Sequence, residues 1–209
     1  GLGSRVAAIT STFTQGNLTH VENPFSVALE GDGFFQIRTE SGELQYTRDG
    51  SFEISPVANG NMLCTSDGNP VLDAYGNQII LPSNRVATDL VVNQDGTLAF
   101  PDGTGNPAVI TDANGRPVKF GIYQFNNPAG LSKEGSNNYS VTVASGAAVA
   151  ENGNAAVKQT KTHQYYTEAS NVDVANEMVN LIVAQRAYEM NSKAIQASDE
   201  MMQQANALR

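Results

Sequence analysis

Hydrophobic and polar positions follow two different periods along this chain, and the change falls at Ser170. From Phe25 the period is two: Phe25, Val27 and Leu29 alternate with Ser26 and Ala28, and Asp32-Gly33 then signals a turn. The run "FFQIRTESGELQYTRDGSFEIS" continues with two strand-like stretches broken at Ser41-Gly42 and Asp49-Gly50. Asp-Gly recurs at 67–68, 95–96 and 102–103, and Asn-Gly at 59–60, 114–115 and 152–153. Asp and Asn tolerate the left-handed region, and Gly enters it without a Cβ clash. Turn signals at this spacing predict many short antiparallel strands, with candidates at 70–72, 78–81, 89–93, 97–100, 118–125 and 139–143. "TRDGSF" at 47–52 resembles "NQDGTL" at 93–98, so one hairpin chemistry is expected at both.

At Ser170 the pattern becomes helical. Ser170-x-x-Asp173 fits a helix start, with Ser170 as N-cap and Asp173 near the positive end of the helix dipole. From Val174 to Arg209 there is neither Gly nor Pro. Val174, Leu181, Tyr188, Ile195 and Met202 recur every seventh residue, and Met178 adds a large apolar neighbour. Glu189 and Lys193 are placed for an i,i+4 ion pair.

Such a helix, at 1.5 Å per residue, is roughly 54 Å long, whereas a β domain of this size is roughly 30–40 Å across. Its five seam residues would forfeit about 8–15 kcal/mol if left in water. Seven-residue spacing points to a helix–helix seam. Val174, Met178, Leu181, Tyr188, Ile195 and Met202 are therefore the candidate contact residues. No second long amphipathic pattern precedes Ser170, so the partner is expected from another chain or from sequence N-terminal to this one. Four of the five Met residues lie in this helix, where an adaptable side chain suits non-identical neighbours.

The predicted fold is mainly β: antiparallel β domains of many short strands with one long C-terminal α-helix. Residues 1–24 read as an extended connecting segment and 25–83 as a first β region. Residues 84–145 read as a more variable central β domain, 146–169 as a connector and returning strand, and 170–209 as the helix. The small, polar stretch 144–158 reads as a loop or mobile connector, and "KQTKTHQYYTEA" as the returning strand.

Composition narrows the function classes. A net charge of −9 argues against nucleic acid or an anionic membrane surface as the main partner. No apolar run approaches the roughly 20 residues that span a bilayer. The lone Cys64 rules out an internal disulfide framework. "GLGSRVAAIT" has no signal-peptide features and no initiator Met, which suggests a fragment or a processed chain. His20 and His163 lack metal-ligand spacing and read as surface or loop histidines. No nucleophile elbow or phosphate loop occurs, and "GDG" at 31–33 reads as a turn. The Asp-Gly turns invite a calcium reading, but Asp95 and Asp112 each fail the EF-hand pattern. No catalytic site, cofactor, metal or small-molecule substrate is expected.

The residues also carry a resemblance. "EASNVDVANEMVNLIVAQRAYEMNSKAIQASDEMMQQA" resembles the terminal segment of bacterial flagellar rod and hook proteins. "FTQGNLTHVENPFSVALEGDGFFQI" with "YTRDGSF" resembles their first β region, and "FNNPAGLSKEGSNNY" is similar to the distal-rod members. "VLDAYGNQIILP" is similar to the proximal-rod branch as well. The resemblance implies a structural, self-assembling subunit of the basal-body rod, exported by the flagellar type III apparatus to lie outside the cytoplasmic membrane. In the family, N- and C-terminal helices pack into an inner tube and β domains form the outer layers; the N-terminal helix would precede the first residue here. Implied partners are copies of the chain itself, neighbouring rod and hook proteins, and ring proteins as a further candidate. The rival readings are a proximal-rod or hook paralogue, an extracellular β-rich adhesin or phage-tail-like module trimerised by its helix, and a cell-wall glycosidase.

Overall fold

The computed structural model describes residues 11–102 and 107–207. It divides into two compact units, one ending at Ser170 and the other beginning at Asn171. Of the expectations above, "GLGSRVAAIT", the second residue of the Asp-Gly at 102–103 and the last two helix positions lie outside the described residues.

Among the described residues the first unit holds sixteen short strands. They are β1 (Leu18–His20), β2 (Val27–Glu30), β3 (Phe34–Arg38), β4 (Leu44–Thr47), β5 (Glu53–Val57), β6 (Gly60–Cys64), β7 (Ile80–Leu81) and β8 (Val91–Val92). They continue with β9 (Leu98–Pro101), β10 (Pro107–Val109), β11 (Ile122–Gln124), β12 (Ser132–Gly135), β13 (Asn138–Ser140), β14 (Val149–Ala150), β15 (Lys161–Gln164) and β16 (Tyr166–Glu168). The largest sheet has six strands in the order β12-β13-β4-β3-β11-β14. Two three-stranded sheets, β5-β6-β7 and β8-β9-β10, and two ribbons, β1-β16 and β2-β15, complete it. All named pairings are antiparallel.

β3 is buried on both faces, so its sequence "FFQIR" reads as a continuous apolar run rather than an alternation. Phe35 and Ile37 enter one core cluster, while Phe34 enters another with Tyr46, Phe125 and Leu131. Edge-on aromatic pairs close both: Phe35 meets Phe52 at 5.0 Å and Phe120 at 5.2 Å, and Phe34 meets Phe125 at 5.5 Å. The larger cluster joins Val27, Leu63 and Ile79 to Leu90, Leu98 and Phe120. Residues assigned from sequence to a first β region and a central domain thus share one core and one sheet.

What joins them is a set of closed three-way backbone junctions. Leu63 N–H donates to Ile79 O (3.0 Å), Ile79 N–H to Val71 O (3.1 Å), and Val71 N–H to Leu63 O (3.0 Å). Leu98, Val118 and Ile110 repeat the ring at 3.0, 2.8 and 2.8 Å. Gln36, Gly121 and Leu72 make a third at 2.9, 3.0 and 2.9 Å. Three chain segments meet at each ring, and each supplies one donor and one acceptor, so buried polar groups are satisfied without an extended ladder. The third ring needs glycine: a Cβ on Gly121 would stand 2.7 Å from Asp73 O.

One turn recurs where these segments double back. In "TESGE" (39–43), "TSDGN" (65–69), "DAYGN" (73–77), "NQDGT" (93–97) and "DANGR" (112–116), the first residue's N–H donates to the fifth residue's carbonyl. The glycine N–H donates back to the first carbonyl, and the glycines have φ of 76–87°. This is a type I turn followed by a left-handed glycine, the three-residue hairpin loop. "TRDGSF" does not belong to the set, contrary to its resemblance to "NQDGTL". Gly50 is absent from the left-handed glycines, and a Cβ there would lie 1.8 Å from Val27 O. That glycine is required by close packing rather than by turn conformation.

Two further expectations are corrected. The stretch 1–24 is not simply a connector, because β1 pairs with β16 in the register Leu18↔Glu168 to His20↔Tyr166. The stretch 144–158 is not a free loop: β14 pairs with β11, and Glu151 is buried just after it. Glu151 Oε2 accepts from Thr160 N–H at 2.7 Å, and Oε1 accepts from Thr160 Oγ1 at 2.6 Å and Gln124 Nε2 at 2.7 Å. The returning strand does form, as β15 and β16. Tyr165 between them takes φ 65°, which turns the chain from pairing with β2 to pairing with β1.

Candidate assembly interface

The second unit is one α-helix, Val174–Ala207. Its N-cap is Asp173 rather than Ser170. Asp173 O accepts the first intrahelical bond from Glu177 N–H at 3.0 Å, and its Oδ1 accepts Ala175 N–H at 2.9 Å. Oδ2 accepts Asn176 Nδ2 at 2.7 Å. The carboxylate therefore satisfies an orphan N–H and complements the positive end of the helix dipole. Ser170 lies before the helix, three residues ahead of its cap. Glu189 accepts from Arg186 Nη1 at 3.1 Å, three residues back, where the sequence had offered Lys193.

None of the helix residues is buried. The seam expected from the seven-residue spacing is exposed along its length: Val174 67%, Met178 62%, Leu181 58%, Tyr188 78%, Ile195 65% and Met202 58%. These six fall within one side when projected at about 100° per residue. A second group was not anticipated. Val179, Val183, Met190 and Met201 are also exposed and project onto the opposite side. The flank between the two carries Arg186, Glu189 and Lys193 together with the exposed Ile182. A helix apolar on two opposed sides has a small amphipathic moment and suits burial between neighbours. This second group is present in the sequence, but its spacing is uneven, so the heptad recurrence does not mark it.

The strand that leads toward this helix is anchored in the first unit by an ion pair. Arg48 Nε and Nη2 donate to Glu168 Oε2 at 2.9 and 2.8 Å, and both side chains are largely buried. Arg48 Nη1 donates to Gly31 O and Gly33 O at 2.9 and 3.0 Å, and the guanidinium lies 5.7 Å from the Phe34 ring centre. Glu168 Oε1 accepts Gly16 N–H at 2.9 Å. One arginine thus ties the "GDG" segment, the "TRDGSF" segment and the β1-β16 ribbon together. Its two partners are 120 residues apart in sequence, so no local pattern exposes it.

Other titratable groups serve local structure. His163 Nε2 lies 2.7 Å from Glu30 Oε2, and this hydrogen bond holds the Glu30 carboxyl below its usual range. His20 lies edge-on to Tyr166 at 5.3 Å. Burial pushes the Cys64 thiol up. Backbone donation from Arg116 N–H, followed by its side chain, lowers the Asp112 carboxyl. Among the described residues no group of three or more His, Cys, Asp or Glu could hold a metal, and no helix is long and apolar enough to cross a membrane.

Similarity to known proteins covers both units. The flagellar hook protein FlgE/F/G D1 domain matches residues 28–100, and the flagellar basal body rod FlgEFG protein C-terminal matches residues 163–208. The chain is 38% identical to flagellar basal-body rod protein FlgG of Borreliella burgdorferi, over all of the chain and 74% of that protein. It is 38% identical to FlgG of Agrobacterium fabrum, over 96% of the chain and 71% of that protein. It is 34% identical to flagellar hook-basal body complex protein FlhP of Bacillus subtilis, over 93% of the chain and 69% of that protein. With its β unit and its helix both matched at this level, the chain belongs to the flagellar basal-body rod protein family.

Proposed function

We propose that this chain is a structural subunit of the distal flagellar rod, polymerising into the tubular shaft that carries torque from motor to hook. It lies in the basal body outside the cytoplasmic membrane and contacts further copies of itself and neighbouring rod and hook proteins. On this reading it is not an enzyme and needs no cofactor. The adhesin and glycosidase readings are not favoured, because the relatives, matched over 93% or more of the chain, are rod and hook-basal body proteins.

The observation that carries the assembly role is the 34-residue helix with no buried residue and apolar side chains on two opposed sides. Val174, Met178, Leu181, Tyr188, Ile195 and Met202 form one inter-helix seam. Val179, Val183, Met190 and Met201 form a second, against a different neighbour. A tube wall needs both, since each helix there has neighbours on either side.

The test is Leu181→Asp in the full-length protein. The β unit keeps its unfolding midpoint while the variant disappears from purified basal bodies. Normal incorporation of the variant would overturn the seam.

A further inference from the structure

The β unit carries two surface features that its own fold leaves unused. The first is the loop 141–145. Val143 is fully exposed, at 104%, with Val141 beside it at 42%. The loop is nevertheless tightly held. Thr142 Oγ1 donates to Gly130 O at 2.5 Å and accepts from Ala144 and Ser145 N–H at 3.1 and 3.2 Å. Ser145 Oγ donates to Thr142 O at 2.9 Å, and Asn127 Nδ2 donates to Ala144 O at 3.0 Å. Gly130 packs so closely that a Cβ would stand 2.6 Å from Ala144 C. A preorganised backbone thus holds an isopropyl group in water, against the ordinary preference for burying it. No Asp, Glu, Lys or Arg occurs between Glu134 and Glu151, so the knob is uncharged.

The second feature is a cleft of about 490 Å³ between the turns 73–77 and 112–116. Ile80, Pro82, Ile110 and Val118 supply its apolar surface, and Asn59, Gln78 and Asn114 contribute amides that can bond a visiting backbone. Its two carboxylates are already engaged by their own turns. Asp73 Oδ1 accepts Tyr75 and Asn77 N–H, each at 2.8 Å. Asp112 Oδ1 accepts Asn114 and Arg116 N–H at 2.8 and 2.9 Å, and its Oδ2 accepts Arg116 Nε at 2.9 Å and Nη2 at 2.8 Å. An uncharged apolar visitor would strip no charge of its partner, whereas a charged one would find no unspent counter-charge.

We propose that Val143 of one copy seats in this cleft on the next copy along the polymer. The proposal rests on the rod-subunit reading. Knob and cleft come from different segments and share no residue, so the contact is heterologous. Heterologous contacts that do not close propagate into open helical polymers, which an outer β layer of a tube requires. The knob-and-cleft contact is weak alone and acts by repetition beside the helix seams.

The test uses Val143→Cys in the full-length protein, co-expressed with the unaltered chain, whose buried Cys64 sets the labelling background. Maleimide labelling of Cys at 143 is expected to slow at least tenfold in purified basal bodies relative to the free subunit. With Asn114→Cys added, mild oxidation is expected to give a ladder of linked copies. Equal labelling in both states overturns the inference, as does cross-linking of position 143 only to a different protein, or rods without a ladder. Absence of even the unaltered chain from basal bodies refutes the rod reading instead, so the two failures are distinguishable.

Discussion

The two units of this chain solve the problem of apolar surface in opposite ways. Residues up to Ser170 bury Phe34, Phe35, Phe52 and Phe120 at or below 1% exposure, and their polar groups are paired across long sequence distances. The helix buries none of its residues. A β unit of this kind gains its stability within one copy. Among the described residues the helix has its own backbone bonds, the Asp173 cap and the Arg186–Glu189 pair, and on the proposed reading further stabilisation comes from contacts between copies. On the proposed reading such a subunit can fold before it assembles, because the β core is complete within one copy while the helix keeps its apolar side chains for neighbours.

The contrast can be broken at its strongest point first. Phe35→Ala removes a ring that packs edge-on against Phe52 and Phe120. It should cost the β unit about 3–5 kcal/mol, read by denaturant unfolding, while helix content of the folded fraction stays unchanged. A loss below about 1 kcal/mol would mean the core is not what holds this unit. Next comes Arg48→Ala, which strands the Glu168 carboxylate in a largely buried position. A loss of about 3 kcal/mol is expected, with faster hydrogen exchange at Leu18–His20 and Tyr166–Glu168. Exchange rising uniformly across the unit would show that the ion pair does not anchor the ribbon in particular.

Asp173→Ala addresses the helix alone. Loss of the cap should cost about 1 kcal/mol of helix stability, seen as fraying at Val174–Met178 by amide exchange, with the β unfolding midpoint unmoved. The smallest effect belongs to the turns. Asp112 has a lowered pKa in the folded chain, so its contribution is fully present above the unfolded carboxyl value and disappears as pH falls through the folded one. The turn 112–116 should therefore stay closed through mildly acidic pH and open only at lower pH. Carboxyl-detected NMR checks this: a midpoint at or above an ordinary aspartate would contradict it, and Asp112→Asn should abolish the dependence.

Much of the helix was legible from residues alone. The absence of Gly and Pro after Val174 removes the residues least favourable in a helix, and the seven-residue recurrence sets side chains on one side of a 3.6-residue turn. The second side, Val179 to Met201, was equally present and needed only a full helical projection. The cap shifted from Ser170 to Asp173 because both residues fit an N-cap, and only the first intrahelical bond decides between them. In the β unit, left-handed glycines at 60, 68, 96, 115 and 153 were read correctly from Asp-Gly and Asn-Gly pairs. Gly33 and Gly50 carry the same Asp-Gly signal but answer to close packing, which demands the same residue. A Cβ on Gly33 would stand 2.5 Å from Ile122 Cγ2.

The sequence by itself determined the class of most elements: strands from short apolar or alternating runs, turns from glycine beside Asp or Asn, and a long helix from apolar spacing uninterrupted by Gly or Pro. These are properties of side chains a few residues apart. Only the tertiary structure decided the three-way backbone junctions, the burial of Glu151, the Arg48–Glu168 anchor and the pairing of β1 with β16. The reason is that backbone donors and acceptors are the same at nearly every position, so no period marks which distant segments will share them. Their choice follows from which side chains pack the common core.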